Sequence, residues 1–474
     1  MNRRLVACGL IIFICLLSVV GVANAAKVKV IVWGGGFLDP TVPGGGRNQV
    51  EVFNKTHPNI EIVPQAATQI AGQTLEAVTK LMVAIAAGNP PDVAIIDRFM
   101  APTWAIRGML RPLDDLIKRD KFPLQNFYQA CVEETQLGGK TYVISQGTDD
   151  RGLYWNRTLF KEAGLNPDKP PLTWSQNLEY AVKLTKKDAA GNITQIGDCP
   201  PVTSVTLYGP GNGGLYSYAF MNEGYFMSKD GKKCTLDSPE VVETIEWLTK
   251  FYDALGGVEK VNSFATGTKA SVMNPFLEGK LAMIHQGNWF LDHIARYKPD
   301  MDFGVTWWPV PDDRYNQVGR FKGLPRFITW SGGWSWGIPT GAKHVKEAWE
   351  VIKWLCSPEG FMAYADGEAA YRKTLGVPYV PSMTSNKIAD EQILKKYAPL
   401  LPEKFADALN FMFSMMPVSR YRPVTPVAAE LFDWQMRICD LALSHQMTPE
   451  AAAKLGATEV QKAIDQYIKE GLLK

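Results

Sequence analysis

The chain has 474 residues, of which 50 are Lys or Arg and 48 are Asp or Glu, and 46% are hydrophobic. This near-balance leaves no basic excess to neutralise nucleic-acid phosphates and no acidic tail, which argues against a nucleic-acid partner. The apolar content is enough for packed cores and excludes a disordered chain.

The first 25 residues read as an export signal. Met1-Asn2-Arg3-Arg4 is basic, Leu5 to about Val22 is apolar, and Ala23-Asn24-Ala25 has the A-x-A form that places cleavage before Ala26. A retained membrane anchor is the alternative, but the apolar run is of borderline length and contains Ser18 and Gly21. Leu5-Val6-Ala7-Cys8 only faintly resembles a lipidation site, since no apolar region precedes it. The expectation is a soluble protein of a Gram-negative periplasm. Cleavage takes two arginines away and leaves basic and acidic residues equal in number. No second apolar stretch is long enough to span a membrane.

Val28 to Trp33 is a β-branched run that reads as a buried strand, and Ile60 to Val63 reads as another. Leu75, Val78, Met82 and Ile85 recur at three- and four-residue steps and predict a helix between Thr74 and Ala87, closed by Gly88. Asp92 to Ile96 follows as a third strand. Strand and helix in regular turn predict parallel βαβ units with helices on both faces. The pattern changes little after residue 150, which predicts a second lobe of the same class. Thr173-Trp174-Ser175-Gln176 has the form of a capping box, with Leu178, Ala181 and Val182 turned inward. Ser238-Pro239 opens another helix, the serine as cap, with an apolar face of Val241, Ile245, Leu248, Tyr252 and Leu255 and an end at Gly256-Gly257. From about Asp198 to Gly224 runs a long glycine- and aromatic-rich stretch, the kind of loop that is usually functional or mobile. No repeat of fixed period and no low-complexity linker occurs, so the chain is expected to cross between lobes more than once.

Cys131, Cys199, Cys234, Cys356 and Cys439 follow the signal without C-x-x-C spacing, so neither a zinc site nor a redox motif is predicted. Cys199 and Cys234 form the candidate disulfide, and the odd count leaves at least one buried thiol.

The order of several segments is similar to that of the extracellular solute-binding protein family 1, in its maltose-binding-protein-like branch. They are Pro91-Asp92-Val93, GLYWNRTLFKEAGL (Gly152 to Leu165), PPLTW (Pro170 to Trp174), DAAGNITQIG (Asp188 to Gly197), FLEGKLAMIHQGNW (Phe276 to Trp289), GGWSWGIP (Gly332 to Pro339) and SPEG (Ser357 to Gly360). The resemblance spans nearly the whole chain after the signal. It implies an α/β fold of the periplasmic-binding-protein type II, with two lobes, a three-segment hinge and a ligand cleft between them. It also implies the permease subunits of an ABC importer as partners, a carbohydrate as the usual solute, a monomer and no cofactor. By that analogy the crossings lie near 146–152, 303–306 and 374–381. Lobe one then holds 27–148 and 307–372, and lobe two holds 152–304 and 380–474.

A sugar needs an aromatic ring against its C–H face and planar polar groups for its hydroxyls. Trp33, Trp289 and Trp334 sit beside glycines rather than on helical faces, which suits a cleft; the plainer reading is ordinary core aromatics. In the family, the tryptophan corresponding to Trp289 commonly stacks on the ligand. Asp97-Arg98 follows the third strand, at the end where ligand crevices form, and resembles the acidic-basic pair of maltose-binding members; the alternative is a surface ion pair. Asp149, seven residues before Asn156, occupies the place of a ligand-binding carboxylate in those relatives. Asp150 beside it should face the other way in extended chain. Arg372 completes the candidates. Two generous segments, Asp39 to Arg47 with Gly44-Gly45-Gly46 and the stretch after Asp198, depart from the family's usual length.

A secreted glycoside hydrolase is the rival, and Asp97 facing Asp149 across a cleft would supply its two carboxylates. No G-x-S-x-G or H-E-x-x-H motif is present, the five histidines are dispersed, and the glycine-rich stretches lack a P-loop lysine or a dinucleotide fingerprint. A binder of polyol phosphate is the other alternative; it would need additional Arg or Lys and helix N-termini at the cleft.

Overall fold

The computed structural model describes residues 27–65, 75–205, 214–268 and 274–473. The expected export signal lies outside the described residues.

β1 (Val28–Trp33) leads to α1 (Gly45–Thr56), β2 (Ile60–Pro64) to α2 (Leu75–Ala86), and β3 (Val93–Asp97) follows. β4 (Val143–Ser145) and β5 (Arg151–Asn156) come next, then α3 (Trp174–Leu184), α4 (Gly214–Met221) and α5 (Pro239–Leu255). β6 (Met283–Gly287), α6 (Phe290–Tyr297) and β7 (Phe303–Trp307) precede β8 (Thr329–Ser331) and β9 (Trp334–Gly337). The rest is mainly helical: α7 (Pro358–Thr374), α8 (Lys387–Tyr397), α9 (Glu403–Met415), then β10 (Ser419–Tyr421), α10 (Ala428–Leu443) and α11 (Pro449–Lys469).

Two main sheets result. The first has the order β2-β1-β3-β9-β4, with β1 parallel to β2 and β3 and with β9 antiparallel to its neighbours. The second is β6-β5-β7, and here β5 is antiparallel to both partners. The expected parallel unit is therefore absent from the second sheet, because β5 arrives from the first sheet and runs against the strands that flank it. One apolar core, with Val30, Val32, Trp349 and Ile352, backs the first sheet. A larger core backs the second and continues to Phe99, Met100 and Trp104, just after β3.

Residues 303–307 form β7, and Trp308, Val310 and Ile328 belong to the larger core. After α7 the chain meets both cores: Val380 is buried in the larger one, and Ala389, Ile393 and Tyr397 in that of the first sheet.

Local expectations fared unevenly. Val241, Ile245, Leu248, Tyr252 and Leu255 of α5 are all buried, and Gly256 ends the helix at φ +114°. The Ser238 hydroxyl, however, makes no capping bond. Thr173 accepts from the Gln176 N–H while the Gln176 side chain accepts from the Leu172 N–H, but Val182 is exposed. In α2, Leu81 is buried and Ile85 packs against the larger core, while Met82 of the predicted face is 44% exposed. α4 is buried along its whole length and belongs to the core of the second sheet, so this part of the glycine-rich stretch is not surface decoration. Cys199 and Cys234 form no disulfide: all five described cysteines are buried thiols. Cys199 faces the Tyr252 hydroxyl at 3.8 Å, whereas Cys234 is fixed beside Met227 and Gln461. Burial pushes the Cys199 thiol up to about 12 and the Cys234 thiol to about 11.

Three segments run together between the sheets: 145–151, 329–333 and 419–422. The Arg98 guanidinium is 0% exposed and ties two of them, donating to Ser145 Oγ (2.9 Å), the Gly147 carbonyl (2.9 Å), the Gly332 carbonyl (2.8 Å) and Glu134 (2.8 Å). Arg422 brings the third, reaching Asp97 at 2.7 Å and Glu134 at 3.2 Å. It lies over the rings of Phe99 and Trp330, and Arg151 also lies over Trp330. Removing one partner of a buried ion pair strands the other, at about 3–5 kcal/mol. We expect Arg98→Ala to lower unfolding stability by about that amount in urea titration; a change below about 1 kcal/mol would refute the role of the network. A thiol reagent should label none of the five described cysteines until denaturant is added.

Candidate functional site

Where the ends of β1, β4, β6 and β8 meet lies a partly open cavity of about 350 Å³, within the ~300–1,000 Å³ range of small-molecule sites. Its apolar wall is aromatic: Phe37 from the turn after β1, Trp289 after β6, Trp334 opening β9, Phe361 and Tyr364 on α7, and Tyr379 beyond it. Its polar atoms come from Gln146, Thr148 and Asp149 between β4 and β5, from Asn288, and from Ser382 and Thr384 before α8. Asp149 is the one charged residue among the described lining residues.

The polar set is pre-arranged by its neighbours. Asp149 Oδ1 accepts from the Gly332 N–H at 3.0 Å, and Oδ2 stands 2.8 Å from Arg151. Gly287 permits that crowding, since a Cβ there would lie 2.5 Å from the Arg151 guanidinium and 2.4 Å from Trp289 Nε1. Asn288 is 1% exposed, and neither its amide oxygen nor its amide nitrogen has a partner among the described residues. A buried amide left unsatisfied costs about 1–3 kcal/mol, and this one offers a donor and an acceptor side by side.

The wall formed by 382–384 is pinned by a buried acid. Asp390 accepts from the Thr384 N–H at 2.8 Å and from the Tyr128 hydroxyl at 2.9 Å. Burial raises its pKa to about 7 against these hydrogen bonds, which lower it.

The structure brings Asp149, Trp289 and Trp334 together around the cavity, and it does so for three of the seven expected contacts only. Trp33 lies outside the described lining and donates its Nε1–H to Gln65. Asp97 and Arg98 are committed to Arg422 and Glu134, so they neither pair with each other nor reach the cavity. Arg372 sits within α7 and is held by Asp292 and Glu368. Asp150 is wholly buried and is not among the described lining residues; burial followed by the Asp149 charge raises its pKa. Phe37, Asn288, Tyr364 and Tyr379 were not singled out in the sequence. Asn288 had a signal, its place between Gly287 and Trp289; Phe361, Tyr364 and Tyr379 had none.

Among the described residues no helix is long and apolar enough to cross a membrane, and no group of three His, Cys, Asp or Glu could hold a metal ion.

The raised pKa of Asp390 gives a signed prediction. Across pH 4 to 7 the folded state keeps a proton that the unfolded chain, with the carboxyl at its ordinary 3.8, has released. Stability therefore falls as pH rises through that window and levels off above about 7. Asp390→Asn should shrink the difference in thermal midpoint between pH 5 and pH 8; an undiminished difference would show that this carboxyl does not carry it.

The model of the bacterial extracellular solute-binding protein family matches residues 42–360. A binding protein of Brucella abortus is 24% identical over 355 residues, 75% of this chain and 75% of that one. The sn-glycerol-3-phosphate-binding periplasmic protein UgpB of Pectobacterium atrosepticum is 25% identical over 369 residues, 74% of this chain and 76% of its own. Among solved structures, that of CpMnBP1 with mannotriose bound is 25% identical, covers 92% of this chain and 100% of its own, and superposes with a TM-score of 0.70. The sugar-binding protein MalE of Xanthomonas citri has the same fold at 16% identity, with 94% and 99% coverage and a TM-score of 0.69. The chain has the α/β fold of type II periplasmic binding proteins, and it belongs to the bacterial extracellular solute-binding protein family.

Proposed function

We propose that this protein captures a neutral saccharide in the aromatic cavity and delivers it to the permease of an ABC importer, without chemical change to the solute. The observation that carries the reading is the lining itself. Six aromatic residues surround amide, hydroxyl and carboxylate groups, and among the described lining residues there is no Lys or Arg. Aromatic faces suit the C–H surfaces of a pyranose, whereas a phosphate dianion needs cations or free backbone N–H groups. CpMnBP1, solved with mannotriose, and the sugar-binding MalE support the same class. UgpB, named for glycerol phosphate, represents the alternative.

In this reading the two sheets belong to two lobes, roughly 27–145 with 334–397 and 151–328 with 403–473. They are joined at the 145–151, 329–333 and 398–402 passages, with 419–422 alongside. Ligand held by both lobes favours the closed arrangement, and that arrangement docks on the permease. Asp292 of α6 and Arg372 of α7, which come from the two sides and stand 2.9 Å apart, support closure over the cavity. A hydrolase would need two carboxylates across a bond; Asp97 is bound to Arg422 and Asp149 to Arg151, which speaks for binding. A monomer in the periplasm, exported by residues 1–25, completes the proposal.

The test is thermal unfolding of the chain without residues 1–25 against a panel of mono- and oligosaccharides, sugar acids and polyol phosphates. A saccharide at 100 times its dissociation constant should add about 2.7 kcal/mol of stability. Trp289→Ala should abolish most of that gain while leaving the unliganded midpoint within a few degrees. No response to any saccharide, together with release of reducing ends from a polysaccharide, would overturn the proposal in favour of a hydrolase.

A further inference from the structure

The glycine-rich segment before α1 is shaped around the cavity wall. A Cβ on Gly45 would lie 2.6 Å from the Tyr364 ring, and Tyr364 lines the cavity. At Gly44, where φ is +132°, a Cβ would lie 2.4 Å from Glu368 Oε1. Glu368 is one turn beyond Tyr364, and its Oε1 accepts from the Gly45 N–H at 2.8 Å. The N-terminal pole of a 12-residue helix, a natural seat for an anion, is thus packed against Tyr364, a wall residue of the cavity, and is filled by a carboxylate of the chain. Asn288, another lining residue, is buried with both amide atoms unpartnered among the described residues.

The nearby cations are treated in the same way. Arg372 stands 3.1 Å from Glu368 Oε2 and 2.9 Å from Asp292, with all three side chains 15% exposed or less. Arg151, behind Gly287, stands 2.8 Å from Asp149. Each positive element that a phosphate would seek is already matched by a negative one.

We propose that Glu368 is a specificity-determining residue that excludes phosphorylated solutes, its carboxylate occupying the pole of α1 beside the cavity and, with Asp292, neutralising Arg372. The inference rests on the saccharide reading and adds to it the reason for rejection of the phosphate-bearing class. A solute phosphate approaching the pole meets a carboxylate in a poorly solvated place, where like charges repel strongly. The same geometry gives the Asp39 to Arg47 segment its purpose, which is to carry the helix pole to the wall.

The experiment compares the chain without residues 1–25 with Glu368→Gln and Asp292→Asn, titrating inorganic phosphate, sn-glycerol 3-phosphate and mannotriose by calorimetry. Glu368→Gln keeps an acceptor for the Gly45 N–H and removes only the charge. It should bind the two phosphates at least about tenfold more tightly than the unsubstituted chain, and the gain should fade in 0.5 M NaCl. Asp292→Asn should give a smaller gain of the same sign by releasing Arg372. Folded Glu368→Gln with unchanged phosphate affinity overturns the proposal, as does an unsubstituted chain that binds glycerol phosphate as tightly as the variant. Should Glu368→Gln not fold, the Asp292→Asn result decides, and unchanged phosphate affinity there overturns it. The mannotriose arm is read separately: its failure, alongside failure of the wider saccharide panel, tells against the saccharide reading and not against the phosphate comparison.

Discussion

The ion pairs that Arg98 and Arg422 make with Glu134 and Asp97 sit where 145–151, 329–333 and 419–422 run side by side, and the cavity is built outward from them. Four charges buried together are costly to desolvate and are tolerated only when each is paired and hydrogen-bonded. Here Arg98 donates to carbonyls of Gly147 and Gly332 as well as to a carboxylate, so the backbone at the junction has one permitted geometry. Asp149 and Gly332, Trp334 and Gln146 are positioned as a result: the Gly332 N–H reaches Asp149, and the Gln146 N–H reaches the Trp334 carbonyl. The polar floor of the cavity is therefore a by-product of the way the sheets are joined.

This explains which parts of the molecule were legible in the sequence. β1, β2 and β3 and the buried face of α5 are written in local periodicity, which a reader of the chain sees directly. The burial of Arg98 is written elsewhere, in Glu134 and in residues 331–332, and that of Asp97 in Arg422, 325 positions away. An Asp-Arg dipeptide at the end of a parallel strand has the right address for a ligand, and only its distant partners show that the pair belongs to the junction. Trp289 was visible because the GNW triplet is contiguous. Tyr364 and Tyr379 were not, because they come to the cavity from a helix and the loop after it.

The balance of charge in the chain without residues 1–25 is repeated at small scale around the cavity. Arg151 with Asp149, Arg372 with Asp292 and Glu368, and the α1 pole with Glu368 are each closed within a few ångströms. A neutral ligand gains little from long-range attraction at such a site, so discrimination among neutral solutes resides in how long each stays rather than in how quickly it is drawn in.

The contacts around Trp330 carry a mechanical meaning. Arg151 comes from the first segment at the junction and Arg422 from the last, and both guanidiniums lie over the indole of the middle one, at 4.5 and 5.1 Å from its centre. The attraction of a cation for an aromatic face tolerates sideways displacement better than a hydrogen bond tolerates bending. The stacked contacts at Trp330 can therefore absorb sideways displacement that the directional bonds of Arg98 to Ser145, Gly147 and Gly332 would not.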